Sequence, residues 1–397
     1  MTDFDATRAL FDLPDGVLYL DGNSLGPLPR AARERVAREV SHGWGTLLIR
    51  GWNEAGWIDL PQVVGDKIAR LVGAPAGSVV AGDSTSVNLF KALTAALSLS
   101  GERKVVLSDS GNFPTDLYVA QQALAALGRG HELRIVAPDE VDGAIDETVA
   151  VLMLTQVDYR SGRLHDMAAL TAKAHAAGAV TVWDLAHSAG ALPVDLSGAG
   201  ADFAIGCGYK YLNGGPGAPA FIYVRPGHAE QVSPALAGWM GHAAPFAFDL
   251  GYAPAAGVNR MRVGTPPILS MASLDAALDV WDGVSMADVR ARSIELSETF
   301  VAEVEARCPQ LTLASPRDPE LRGSQVSFAF SEGYAAMQAA IANGVVGDFR
   351  APDIMRFGFT PLYVGLDDVL RAAATLERVM GERLWDRPEF KQRAKVT

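Results

Sequence analysis

Lys210 stands in the segment DFAIGCGYKYLNGGPG, directly after a run that reads as a buried strand and directly before a glycine-rich turn. Glycines there open backbone conformations closed to other residues, so this lysine is presented on a loop at a strand end. The chain has seven lysines, and the others fall mostly on polar helix faces or near the C-terminus, where a solvated charge is reading enough. An amine so placed can form a Schiff base with a carbonyl compound. Upstream, VTVWDLAHSAG ends another strand pattern on Asp184 and sets His187 three residues on. A carboxylate at the carboxyl end of a parallel strand faces the crevice where α/β proteins bind ligands. It can keep the ring nitrogen of a pyridoxal cofactor protonated, which makes that ring a strong electron sink. A helix cap for Asp184 and a core-packed histidine for His187 are the plainer alternatives. The third element is GDSTSVNLFKAL, where Thr85 and Ser86 precede an apolar-periodic helix and read as cap residues. Free N–H groups and the positive dipole end of a helix start make a phosphate site, with simple capping as the alternative.

These residues need a scaffold, and the sequence between about Ser84 and Val224 predicts one. Apolar, β-branched runs begin at Lys104, Leu133, Val149, Ala179, Asp202 and Ala220, separated by helix-length segments. Such spacing predicts buried strands of a mostly parallel sheet with helices on both faces. After Pro267 the pattern turns to long helical periodicity through about Arg307. A strand at Gln325 follows, then helices near Ala335 to Asn343 and Asp367 to Met380. That grouping predicts a smaller α+β lobe. The expected division is an N-terminal segment over 1–50 packed on the body, a large α/β domain over 51–266 and a smaller domain over 267–397.

With 34 basic and 46 acidic residues the net charge is -12, which disfavours nucleic acid and anionic membrane surfaces as partners. The opening MTDFDATRALFDLPDG lacks the basic and apolar regions of a signal peptide, and no apolar run approaches the roughly 18 residues of a membrane span. The expectation is a soluble, cytoplasmic protein. Cys207 and Cys308 form neither a CxxC pair nor a Cys/His cluster, and read as buried small hydrophobes with no metal site.

Seven segments, LDGNSLGPLP, DSTSVNLFKAL, NFPTDLY, WDLAHSAGALPVDL, GYKYLNGGPG, PALAGWMGH and RVGTPPIL, resemble in content and order those of the kynureninases. WDLAH with GYKYLN is similar to the wider fold-type I pyridoxal-5'-phosphate superfamily; GNSLG, NFPTD and GWMGH make the likeness narrower. The resemblance implies hydrolytic Cβ–Cγ cleavage of L-kynurenine to anthranilate and L-alanine; Thr265, where some family members carry asparagine, leaves the 3-hydroxy derivative open as a second substrate. It also implies a place in tryptophan catabolism and NAD biosynthesis. It assigns Lys210 the Schiff base, Asp184 the pyridine nitrogen and Phe113 a stacking role. Asp116, Thr155 and His187 would support the ring substituents, while Thr85, Ser86 and Tyr209 hold the phosphate. Trp239 and Thr265 would reach the cofactor from the partner subunit of a homodimer, Arg356 would take the substrate carboxylate, and Tyr209 would move protons in the later steps.

Other chemistries fit parts of the pattern. A cysteine desulfurase or aminotransferase shares the lysine, aspartate and phosphate cup, and a catalytically silent cofactor-binding protein would keep them all. Gly22-Asn23-Ser24-Leu25-Gly26 satisfies the GxSxG pattern of a serine hydrolase, although Pro27 and Pro29 delay the helix such an elbow requires.

Overall fold

The computed structural model describes residues 1–393. Its centre is a seven-stranded sheet whose strands, in chain order, are β1 Val79–Ala81, β2 Val105–Asp109, β3 Glu132–Val136 and β4 Val149–Thr155, then β5 Val180–Asp184, β6 Phe203–Gly206 and β7 Phe221–Val224. Across the sheet the order is β1-β7-β6-β5-β4-β2-β3. All neighbours pair in parallel except β7, which runs antiparallel to both β1 and β6. The six strands read from the sequence are present. The edge strand β1 and the reversal of β7 are additions.

The period of two in a pleated strand sorts the apolar residues between two cores. Val151 and Met153 of β4 join Val182 of β5 on one face, under the helices Thr85–Leu99 and Pro114–Leu127. Leu152 and Leu154 join Trp183 on the other, against the helices Leu60–Leu71, Met167–Ala176 and Ile268–Ala277. With both faces covered, the strands are apolar throughout rather than alternating.

The second half of the chain adds a four-stranded antiparallel sheet, Thr312–Leu313, Gln325–Ala329, Ile354–Gly358 and Asp348–Arg350 in spatial order. Helices Met286–Arg307 and Leu366–Gly381 pack together beside it. Near the N-terminus, Leu18–Tyr19 pairs in parallel with Val345–Val346, and helix Arg30–Arg38 lies against Ile268–Ala277. Among the described residues no helix is long and apolar enough to cross a membrane.

Candidate active site

The carboxyl ends of β4 and β5 deliver Thr155 and Asp184 to one edge of the sheet. The loops leaving β2, β5 and β6 bring Phe113, His187 and Lys210 to the same place. A single pocket is lined by Thr85, Ser86, Phe113, Thr115, Asp116, Thr155, Tyr159, Asp184, Ala186, His187, Tyr209 and Lys210. Nine of the predicted residues therefore share one cavity.

The lysine loop is held by local bonds: Asn213 N–H donates to Lys210 O at 2.9 Å and Gly214 N–H to Gly208 O at 2.9 Å. From far away in sequence, Gly26 N–H reaches Tyr209 O at 2.8 Å. A side chain at Gly26 would sit 2.4 Å from Lys210 O, so only glycine permits this approach. Lys210 Nζ lies 2.9 Å from His187 Nε2. Burial first, and then the charges of Lys210 and Arg356, hold His187 well below the usual histidine range; the ring is neutral and Lys210 is the donor. The Tyr209 ring flanks the amine, its centroid 5.8 Å from Nζ, and burial raises the Tyr209 phenol so that it keeps its proton.

Asp184 accepts the Ala186 N–H at 2.7 Å, an Asx-turn that aims its carboxyl. Burial raises Asp184, with Lys210 as the main opposing influence. Burial and then the charge of Asp184 hold Asp116 well above the carboxylate range, and its Oδ2 is buried without a hydrogen-bond partner. Two desolvated carboxyls sharing one site need a cation or a donor. A pyridine ring protonated on nitrogen brings both, and this is the observation by which pyridoxal phosphate fits the pocket.

The start of the helix Thr85–Leu99 differs from expectation by one residue. The N-cap of Thr85–Leu99 is Ser84, with extended backbone and an oxygen accepting from Val87 N–H, so Thr85 and Ser86 open the first turn instead of capping it. Their N–H groups are those a helix start leaves free for an anion. Phe113 precedes Pro114 at the start of its helix, stays half-exposed and meets the Tyr159 ring edge-on at 5.1 Å.

Three predicted residues lie outside this pocket. Arg356 is buried behind it, on the strand Ile354–Gly358. Its Nε and Nη2 bond Asp348, Nη2 also meets Ser24 Oγ at 3.0 Å, and Nη1 bonds Tyr159 O. The fork expected to face a carboxylate is thus held on Asp348. Trp239 lines a separate cavity with His242, Phe248 and Tyr252, and Thr265 lines a third with Asp83 and Lys91. Within one chain neither joins the Lys210 site.

Lys91 corrects the reading of the remaining lysines as solvated. It is 1% exposed and donates to Asp83 Oδ2 at 2.7 Å and Met261 O at 2.6 Å. Tyr159, Thr115 and Gln325 were missed. Tyr159 follows a strand end, a position that could have flagged it; Gln325 reads only as the start of a strand. Ser24 is no hydrolase nucleophile, since its hydroxyl donates to Asp348 and accepts from Arg356, and among the described residues no hydrogen bond links it to a histidine.

Relatives decide the family. The chain is 54% identical over 382 residues to the kynureninase of Deinococcus radiodurans, covering 94% of this chain and 93% of that one. The chain belongs to the kynureninase family. The Pseudomonas fluorescens kynureninase is 49% identical over 397 residues, with 98% and 95% covered, and the family model for the kynureninase C-terminal domain matches residues 289–376. Solved structures share the fold: the cysteine desulfurase CsdA of Escherichia coli superposes with a TM-score of 0.78 at 21% identity, over 96% of this chain and 99% of that one. A C-DES variant with glycine covalently linked to the PLP cofactor gives 0.77 at 17%, over 95% and 99%. This member of the kynureninase family is accordingly a fold-type I, pyridoxal-phosphate-dependent enzyme that hydrolyses a carbon–carbon bond. Desulfurase chemistry needs an accessible thiolate, whereas Cys207 and Cys308 are buried. Burial raises both thiols, Cys308 to about 11.

Proposed function

We propose that this enzyme cleaves the Cβ–Cγ bond of L-kynurenine with water, releasing anthranilate and L-alanine, in tryptophan catabolism and as a step toward NAD biosynthesis. The observation that carries the reading is Lys210 Nζ donating to a neutral His187 at 2.9 Å, in a pocket that also holds the buried Asp116 and Asp184 pair. Bound pyridoxal phosphate supplies the electron sink that acidifies the substrate's Cα. Lys210 would anchor the cofactor, and its amine is placed to act as the general base for the substrate's Cα proton. Asp184 would hold the ring nitrogen, with Asp116 and Thr155 supporting the ring substituents, Phe113 stacking on the ring, and Thr85, Ser86 and Tyr209 holding the phosphate. His187 keeps the lysine nitrogen aimed. Tyr209, protonated at neutral pH, is the proton donor for the later steps. Arg356 receives the substrate carboxylate through the N–H that Asp348, Ser24 and Tyr159 O leave over, or by displacing Tyr159 O.

Trp239 and Thr265 line cavities away from Lys210 in their own chain, which supports their serving the site of a second copy in a homodimer. The division at residues 50 and 266 and a cytoplasmic location belong to the same reading.

Purified protein loaded with pyridoxal phosphate is mixed with L-kynurenine and anthranilate fluorescence is followed, with Lys210→Ala alongside. Release by the native protein and loss by at least 10³-fold in the variant is expected. Alanine release from cysteine without anthranilate release would instead place the chemistry with the desulfurases.

A further inference from the structure

Gln325 is fully buried at the start of the strand Gln325–Ala329, yet it touches two residues of the site, Tyr159 and His187. Its Nε2 donates to Tyr159 O at 2.9 Å and points toward Asp158 O at 3.5 Å. Its Oε1 lies 3.1 Å from His187 Nδ1. Amide orientation is often a choice between near-equal alternatives, but here two backbone carbonyls on one side accept only from an NH2 group. The oxygen must therefore face His187. An amide oxygen cannot donate, so the hydrogen of that contact sits on Nδ1. His187 is neutral for the reasons given above, which leaves Nε2 as a bare acceptor toward Lys210.

We infer that Gln325 is a positioning residue that fixes the tautomer of His187, so that the ring nitrogen facing Lys210 is always an acceptor. The inference rests on the cofactor-lysine reading for its purpose but not for its geometry. With the opposite tautomer, Nε2–H would point at the amine, and Lys210 would lose its acceptor and be turned from the pocket. The same amide restrains Tyr159, whose carbonyl also takes Arg356 Nη1 and whose ring lies against Phe113. One side chain of the four-stranded sheet thereby ties together the lysine, the carboxylate-binding arginine and the stacking ring. Gly162 passes so close that a Cβ there would lie 2.9 Å from Gln325 O, so a glycine is what lets this loop pack against the strand.

The test is ¹⁵N NMR of histidine-labelled protein, with and without pyridoxal phosphate, the His187 signals being assigned by their loss in His187→Gln. Native protein should show Nδ1 protonated and Nε2 bare. Gln325→Leu should move the proton to Nε2 or mix the tautomers, and slow the appearance of the visible band of lysine-bound cofactor by about tenfold. Gln325→Glu keeps an acceptor at Nδ1 while giving up the bond to Tyr159 O, so it should keep the proton on Nδ1 even if the Leu variant folds poorly. A native Nε2–H, unchanged His187 signals in Gln325→Leu, or loss of the Nδ1 proton in Gln325→Glu would each overturn the proposal. If the native protein gives no visible band with pyridoxal phosphate while the tautomer result holds, it is the cofactor-lysine reading that fails.

Discussion

Arg356 shows how much of a residue's role is decided by what holds it. Asp348 accepts from both Nε and Nη2, Ser24 and Tyr159 O take further bonds, and the side chain is 1% exposed. A buried guanidinium is tolerated because a carboxylate and backbone oxygens replace its water. The same bonds fix the direction in which its remaining donor points. Lysine offers a point charge with no fork to bond Asp348 and a ligand together. Arg356→Lys should therefore raise KM for L-kynurenine and cut kcat/KM ten- to a hundredfold, the worth of a charged hydrogen bond of about 1.5–3 kcal/mol. Steady-state kinetics reads this directly, and an unchanged KM would remove Arg356 from carboxylate recognition.

Elements are pinned at the end away from the chemistry as well. Asp202, at the start of β6, accepts from Thr181 N–H at 2.9 Å, bonds His175 at 2.7 Å and His228 at 2.8 Å, and is 2% exposed. Burial alone would raise this carboxyl, but the bonds from His228, His175 and Thr181 outweigh it and hold Asp202 at about 2. A folded value below the unfolded one means that the stabilisation is present above about pH 4 and is lost as pH falls through about 2. Asp202→Asn should lower stability at pH 7 by on the order of 2 kcal/mol. Thermal melts of the two proteins should differ by a few degrees at pH 7 and converge near pH 2. The strands were legible as apolar runs, and the chemistry was legible where such a run stops at a polar residue: Thr155 and Asp184 end β4 and β5 in sequence as in space. The helix start was misplaced by one residue because Ser84, Thr85 and Ser86 are all able to cap, and only the extended backbone of Ser84 selects it. The reversed direction of β7 leaves no mark on its composition. Gln325 and Tyr159 were illegible as partners because their contact is made between two sheets, and no local period records it.

For the whole molecule, the exposed aromatic and aliphatic side chains of Trp239, Phe246, Phe248 and Leu250 are more apolar surface than one short segment usually shows to water. The homodimer proposal gives that surface a use. If each Lys210 site is completed by Trp239 of the other copy, Lys210→Ala and Trp239→Ala proteins, each nearly inactive, should recover up to about a quarter of native activity when co-refolded. A mixed dimer then holds one site with both native residues, and random assortment makes half of the dimers mixed. No recovery, with the dimer present by sedimentation, would place each site within a single chain. The pairing of Leu18–Tyr19 with Val345–Val346, together with the seating of Gly26 against the Lys210 loop, bears on how the chain is made. Domains fold as units while synthesis proceeds from the N-terminus, but here an early segment must wait for residues made more than three hundred positions later. A nascent chain that already displays the lysine loop still lacks the strands bearing Gln325 and Arg356, so the pocket closes only after the strand Ile354–Gly358 has been made.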